Sequence, residues 1–147
     1  MASELMSVLE DSTRRRSLER GCVALVEAEV GGKRGVSGLA IKAAFKVVKR
    51  FRPDIIERVI CDLLPEFIAA MDDAYREAQE SSTPIERFIS ANEARVANDL
   101  LRVTDRRAET SKNEVLVSAY RKLRPMGEAQ VKAALPRLGA LLKDQGL

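Results

Sequence analysis

An all-α fold, a multi-helix bundle, is predicted by glycine placement, apolar spacing and the lack of strand-like alternation. All eight glycines lie in residues 21–38 or 127–146, so the 88 residues from Leu39 to Met126 contain none. Strand-rich chains of this size need glycine-bearing turns at short intervals. Ile55, Ile56, Val59, Ile60, Leu63 and Leu64 form a wide helical stripe, and no stretch alternates with period two for long enough to make a strand. The 147 residues are 46% apolar and 32% charged, which excludes wholesale disorder and suits one helical domain over 1–147.

The elements follow in order. A short first segment covers 2–10. The second, 13–30, opens on Arg14-Arg15-Arg16, where positive charge is mildly unfavourable at a helix N-terminus. That local cost points to a contact or to a flexible basic segment. Gly31-Gly32 can end this helix, and Ser37 can cap the next, 38–51. In it Ile41, Phe45, Val48 and Phe51 recur at three- to four-residue steps between Lys42, Lys46 and Lys49. Segments 53–63 and 65–80 are separated by Pro65, and 126–134 and 136–144 by Pro136. Each proline follows a leucine rather than a capping residue, so a kinked continuous helix competes with two helices. Thr83-Pro84-Ile85-Glu86 has the spacing of a capping box with proline at the first helical position, opening 84–108. Ser90…Glu93 repeats that spacing and predicts a break near Ser90. Ser111…Glu114 repeats it again before 112–123.

The chain also echoes itself. Lys49-Arg-Phe-Arg-Pro53 matches Arg121-Lys-Leu-Arg-Pro125, and Leu64-Pro65-Glu-Phe67-Ile-Ala69 matches Leu135-Pro136-Arg-Leu138-Gly-Ala140. A duplication spanning about 13–80 and 84–144 would give two similar half-bundles, each unable to bury its apolar face alone. Coincidence among helices rich in Leu, Ala, Lys and Arg is the competing reading.

Composition removes several chemistries. The chain has no histidine and no tryptophan, which excludes an imidazole base, a Ser-His-Asp triad and a His-ligated metal. Cys22 and Cys61 match no metal-ligand spacing and are expected as reduced, buried, small apolar residues. Three acids precede Ser12 without an apolar h-region, so no signal peptide is expected. The longest apolar runs are five residues, Cys22 to Val26 and Phe67 to Met71, against the ~20 a spanning helix needs. No membrane span and a cytoplasmic location follow as expectations.

Charge is segregated along the chain. Residues 31–52 hold seven basic and no acidic side chains, 53–110 hold seven against thirteen, and 111–147 seven against three. Lys42, Lys46, Lys49 and Arg50 share one side of a helix, followed by Arg52 before Pro53; the second copy adds Arg121, Lys122 and Arg124. Such an acid-free stripe can neutralise phosphates of nucleic acid, anionic lipid heads or a phosphorylated ligand. The plainer reading is a solvated face with cations favoured at helix C-termini. Aromatic residues are 4% of the chain, too few to stack many bases. Gly31-Gly32-Lys33-Arg34-Gly35-Val36-Ser37-Gly38 lacks the residues and the preceding strand of a phosphate loop. Asp62, Glu66, Asp72, Asp73 and Glu77 could assist a magnesium-dependent hydrolase, but read more simply as the wet side opposite Phe67, Ile68, Met71 and Tyr75.

The stretches Ala24-Leu-Val-Glu-Ala-Glu-Val30, Val36-Ser-Gly38, Ile41-Lys-Ala-Ala44, Arg52-Pro-Asp-Ile55, Val103-Thr-Asp-Arg106, Tyr120-Arg-Lys-Leu-Arg-Pro125 and Leu135-Pro-Arg-Leu-Gly-Ala-Leu-Leu142 are similar to those of a family of small uncharacterised helical proteins found mainly in actinobacteria. The resemblance implies an all-α cytoplasmic protein and carries no functional residues with it. The leading expectation is a non-catalytic interaction or structural module without cofactor or metal, whose partner is a protein or a second copy in a homodimer. Anion binding, to nucleic acid or a phosphorylated ligand, through Lys42, Lys46, Lys49, Arg52, Arg121, Lys122 and Arg124 is the runner-up. A carboxylate-dependent metal hydrolase comes third.

Overall fold

Helices dominate residues 3–147, which the computed structural model describes, and no strand occurs among them. Helix α1 (Glu4–Ser7) is capped by Ser3, whose Oγ accepts from the Met6 N–H at 3.1 Å; a 3-10 turn, Val8–Glu10, follows. Asp11 caps α2 (Ser12–Gly32) by accepting from the N–H groups of Thr13 and Arg14. Its carboxylate answers the positive charge of the Arg14-Arg15-Arg16 run. Arg14 reaches Glu4 at 3.8 Å and Arg15 reaches Glu19 at 3.5 Å, so two of these arginines have local partners.

Helix α3 (Gly35–Phe51) starts earlier than expected, and Ser37 lies inside it rather than capping it. Glycine geometry is the reason. Gly35 has φ +73°, and a Cβ on Gly38 would stand 2.7 Å from the Lys33 carbonyl carbon. The tight α2–α3 turn therefore needs glycine at both places.

Helix α4 (Ile55–Glu80) runs through Pro65, and α8 (Gly127–Asp144) runs through Pro136. The two-helix alternative is thereby removed at both prolines. An interior proline costs about 3 kcal/mol. Ile60, Leu63 and Leu64 are buried before Pro65, and Ile68 and Met71 after it; at roughly 1.5–3 kcal/mol per buried side chain, that offsets the loss.

The expected break occurs, between α5 (Ile85–Ala91) and α6 (Glu93–Thr110). None of the three capping boxes forms. Pro84 caps α5 without a side-chain bond, and Thr83 Oγ1 turns to Ser81 Oγ at 2.9 Å. Ser90 is inside α5, and Asn92 precedes α6, its Nδ2 donating to the Phe88 carbonyl at 2.9 Å. Helix α7 (Glu114–Leu123) is capped by Asn113, which accepts from the Leu116 N–H at 3.0 Å, whereas Ser111 accepts from the Asn113 N–H. Local competition between hydroxyl and amide side chains moved each cap. The 3-10 turn Arg124–Met126 links α7 to α8.

The core gathers on α4. Its Leu64, Ile68, Met71 and Tyr75 pack with Leu5, Leu18, Ile85, Ile89, Val96, Leu135 and Leu142 from α1, α2, α5, α6 and α8. Helices α5 and α8 approach closely at Gly139, where a Cβ would stand 2.9 Å from Glu86 Cα. Helices α3 and α7 supply no member of that cluster. They pack on one another instead, and α7 fully buries no residue. The echoing segments share one element order, a helix, an Arg-Pro junction and a long proline-containing helix.

Candidate functional site

The two basic segments fall on neighbouring helices. Helix α3 carries Lys42, Lys46, Lys49 and Arg50, and α7, packed against it, carries Arg121 and Lys122. Four of the seven anion-site candidates, Lys42, Lys46, Arg121 and Lys122, are exposed and make no ion pair among the described residues. The other three are engaged. Lys49 reaches Glu27 at 3.5 Å, Arg52 reaches Asp54 at 3.2 Å, and Arg124 reaches Asp105 at 2.8 Å. Asp54, also bonded by Arg58 at 2.7 Å, is held below the usual carboxylate range chiefly by that hydrogen bond. These three positions are spent on internal pairing, so the unpaired charge comes from α3 and the end of α7.

Helix α3 also presents an apolar surface to solvent. Val36 is 86% exposed, Leu39 70%, Val47 57% and Phe51 60%. With exposed Ala40 and Ala43 they recur at three- and four-residue steps, on the side opposite buried Ile41 and Val48. Lys42, Lys46 and Arg50, spaced by four, run along one flank. A helix apolar on two sides lies between two apolar surroundings. Its inner surroundings lie within this chain.

Below α3 and α7 lies a cavity of about 480 Å³ whose wall is almost entirely hydrocarbon. Its roof is Ile41, Phe45 and Val48 of α3 with Leu116, Ala119 and Leu123 of α7; its floor is Val59, Leu63 and Phe67 of α4 and Val131 and Ala134 of α8. Polar groups are few. Gln130 is one of the lining residues, and its Oε1 is buried against protein without a hydrogen-bond partner. Glu29 and Lys33 pair at 4.0 Å, and Arg137 holds Glu29 at 2.8 Å.

A polar knot closes another part of the wall. Tyr120 Oη donates to Asp105 Oδ1 at 2.6 Å, Thr104 Oγ1 lies 2.6 Å from Tyr120 Oη, and Arg124 forks onto Asp105. The Arg124 hydrogen bond, helped by Tyr120, holds the Asp105 carboxyl below its usual range against the opposing effect of burial. Burial first, and then the bond to Asp105, pushes the Tyr120 phenol up to about 12. The knot ties α6, α7 and the α7–α8 junction together. All of its charges are internally matched.

Three of the five acidic candidates are occupied too. Glu66 accepts from Arg107 at 3.0 Å, Asp72 from Ser3 and Arg76, and Glu77 from Arg95. Among the described residues no group of three or more His, Cys, Asp or Glu could hold a metal ion. Both cysteines are free and half-buried rather than fully buried. Cys22 lines the apolar cavity, and burial, then Glu19, pushes its thiol up to about 11. Cys61 borders a charged cleft between α2 and α4. No helix among the described residues is long and apolar enough to cross a membrane.

A family model, described as a family of unknown function (DUF6918), matches residues 5–145, from α1 through α8. The chain belongs to that family. No curated protein and no solved structure matches the sequence. Family membership brings no assigned activity, so a functional reading stands on this chain's own geometry. Of the outer apolar side of α3 only Phe51 was singled out in the sequence, there in one stripe with Ile41 and Val48, which are buried while Phe51 is exposed; Gln130 was not singled out. The first had a signal: Val36, Leu39, Ala43 and Val47 form a second helical stripe. The second had none, because only packing leaves an amide oxygen unpartnered.

Proposed function

We propose that this chain is a non-catalytic helical interaction module that docks on an anionic bilayer surface through the outer side of α3. The observation that carries the reading is the pairing, on one acid-free helix, of four exposed large apolar side chains with a strip of unpaired cations. An interfacial helix inserts its apolar side at the headgroup boundary and sets Lys and Arg against lipid phosphates. Each such cation contributes about 1 kcal/mol near an anionic leaflet. Arg121 and Lys122 of the neighbouring α7 extend the charge.

Phosphate contacts alone would leave Val36, Leu39, Val47 and Phe51 without a role, which argues against nucleic acid or a small phosphorylated ligand. Self-association through the same helix is the second reading, favoured by its exposed apolar area. An isologous contact pairs a patch with itself, and α3 has no acid to offer its own cations. Two free cysteines suit the reducing cytoplasm.

The test is co-sedimentation with vesicles of phosphatidylglycerol and phosphatidylcholine beside vesicles of phosphatidylcholine alone. Binding to the anionic vesicles alone is expected, weakening with salt. It should disappear both in Lys42→Glu/Lys46→Glu and in Leu39→Ser/Phe51→Ser, with helix content unchanged. No binding to either vesicle, with a concentration-dependent dimer lost in Leu39→Ser/Phe51→Ser, would replace this reading by self-association.

A further inference from the structure

We propose that α3 and α7 form one flap, which opens from the α4–α8 floor as a unit while the rest of the chain stays folded, with the Tyr120 knot as its latch. Local stability follows local packing, and a unit with few buried apolar contacts opens at lower free energy than the whole chain unfolds. Neither helix contributes to the main cluster, and each packs on the other more extensively than on any other α-helix. Beneath them lies a space of about 480 Å³ in place of close-packed side chains, so lifting the pair forfeits few contacts with the floor. Opening carries Ile41, Phe45 and Val48 away from Val59, Leu63 and Phe67 and exposes the apolar space between them.

The attachments of the pair are few. Among the described residues one side-chain hydrogen bond joins α3 to another helix, Lys49 to Glu27 at 3.5 Å. Both partners are half-exposed, where an ion pair is worth little. The ends of both helices are places where the backbone can turn. Lys33 and Arg34 are extended ahead of Gly35, whose φ is +73°, and Arg52 is extended before Pro53. Residues 111–113 are non-helical before α7, and the 3-10 turn Arg124–Met126 follows it. A few such residues can absorb the dihedral change of a hinge.

The knot is the exception. Tyr120 Oη donates to Asp105 Oδ1 and meets Thr104 Oγ1, both at 2.6 Å. Among the described residues these are the side-chain hydrogen bonds that join α7 to another helix. No bond of the knot reaches α3, so releasing it loosens α3 only if the two helices move together. The flap rests on the packing of these helices and not on docking at a bilayer.

The experiment is hydrogen–deuterium exchange, read by mass spectrometry, on the full chain and two variants in vesicle-free buffer. In the unaltered chain α3 and α7 should be protected alike, at least tenfold less than the slowest amides of α4. Tyr120→Phe keeps the ring and removes the hydroxyl. It should speed exchange in both α3 and α7 about fivefold, the factor one neutral hydrogen bond carries. Ile89 belongs to the main cluster on α5 and does not line the space under the flap. Ile89→Val should speed the slowest α4 amides severalfold and leave α3 and α7 unchanged. Faster exchange in α7 alone, or in neither helix, with Tyr120→Phe would overturn the proposal. So would acceleration of α3 and α7 alongside α4 in Ile89→Val, because the pair would then open only with the whole chain. Failure in the vesicle assay does not bear on this one, because no bilayer is present.

Discussion

Arg124 holds Asp105 in a two-point fork, Nε to Oδ1 at 2.8 Å and Nη2 to Oδ2 at 3.1 Å. Parallel hydrogen bonds of this kind add geometric definition to charge. Here they take Arg124 out of any anion site and turn it into a brace between α6 and the α7–α8 junction. The Arg124 side chain is 40% exposed, so solvent discounts the pair, and Arg124→Ala is expected to cost about 1 kcal/mol of stability in urea. It should leave vesicle binding unchanged.

The same knot sets a pH dependence. Asp105 is held below its ordinary range in the folded chain. Its contribution is therefore complete above the unfolded value of about 3.9 and is lost as pH falls below it. Tyr120 is raised to about 12, so its contribution is complete below about 10 and is lost as pH climbs from about 10 to about 12. Urea midpoints measured across pH should fall on both sides, and Asp105→Asn should flatten the acid limb. An acid limb of unchanged slope would remove Asp105 as its source.

Two glycines in helices should respond oppositely to alanine. A Cβ at Gly139 meets the Glu86 Cα and Cβ at 2.9 Å, whereas one at Gly31 meets nothing within 4 Å. Gly139→Ala must push α5 from α8 and should cost about 1–3 kcal/mol. Gly31→Ala gains helix propensity of up to ~1 kcal/mol and should raise the melting temperature. Thermal melts of the two variants side by side decide this.

Truncations should report the cavity. Ile89 is 1% exposed, sits in the main cluster and does not line the cavity, so Ile89→Ala should cost about 2–5 kcal/mol. Phe45 is half-buried and roofs the cavity. Side chains facing a void have fewer contacts to lose, and Phe45→Ala should cost less than Ile89→Ala despite removing more atoms. Equal losses on denaturation would mean that the roof is packed as tightly as the core.

Cys22 and Cys61 differ in setting. With its thiol pushed up to about 11 by burial, Cys22 carries little thiolate at pH 8 and should react more slowly with a disulfide reagent than the same residue in urea. Full protection in urea would contradict burial as the cause.

How much was legible follows from which forces act locally. The glycine-free stretch and the 55–64 stripe identify helices because backbone freedom and apolar spacing are properties of short windows. The break near Ser90 was legible for the same reason. The caps were not: Asn113 took the place of Ser111, and Thr83 turned to Ser81, since several polar side chains compete for the same N–H groups. Gly35 and Gly38 displaced Ser37 because a close backbone approach is invisible until the chain has turned.

By itself, the sequence determined an all-α chain, the absence of imidazole chemistry and the segregation of charge, all of which depend on residue identity and spacing. Tertiary packing alone decided that Pro65 and Pro136 lie within unbroken helices, because buried leucines and isoleucines on α4, and Leu135 and Leu142 on α8, outweigh the lost backbone bond. It decided which cations are consumed: Arg124, Arg52 and Lys49 have carboxylates within reach, and Lys42, Lys46, Arg121 and Lys122 do not. It also decided that α3 and α7 meet above an apolar space. A helical stripe shows that a side chain will be covered, and only the assembled neighbours show what covers it.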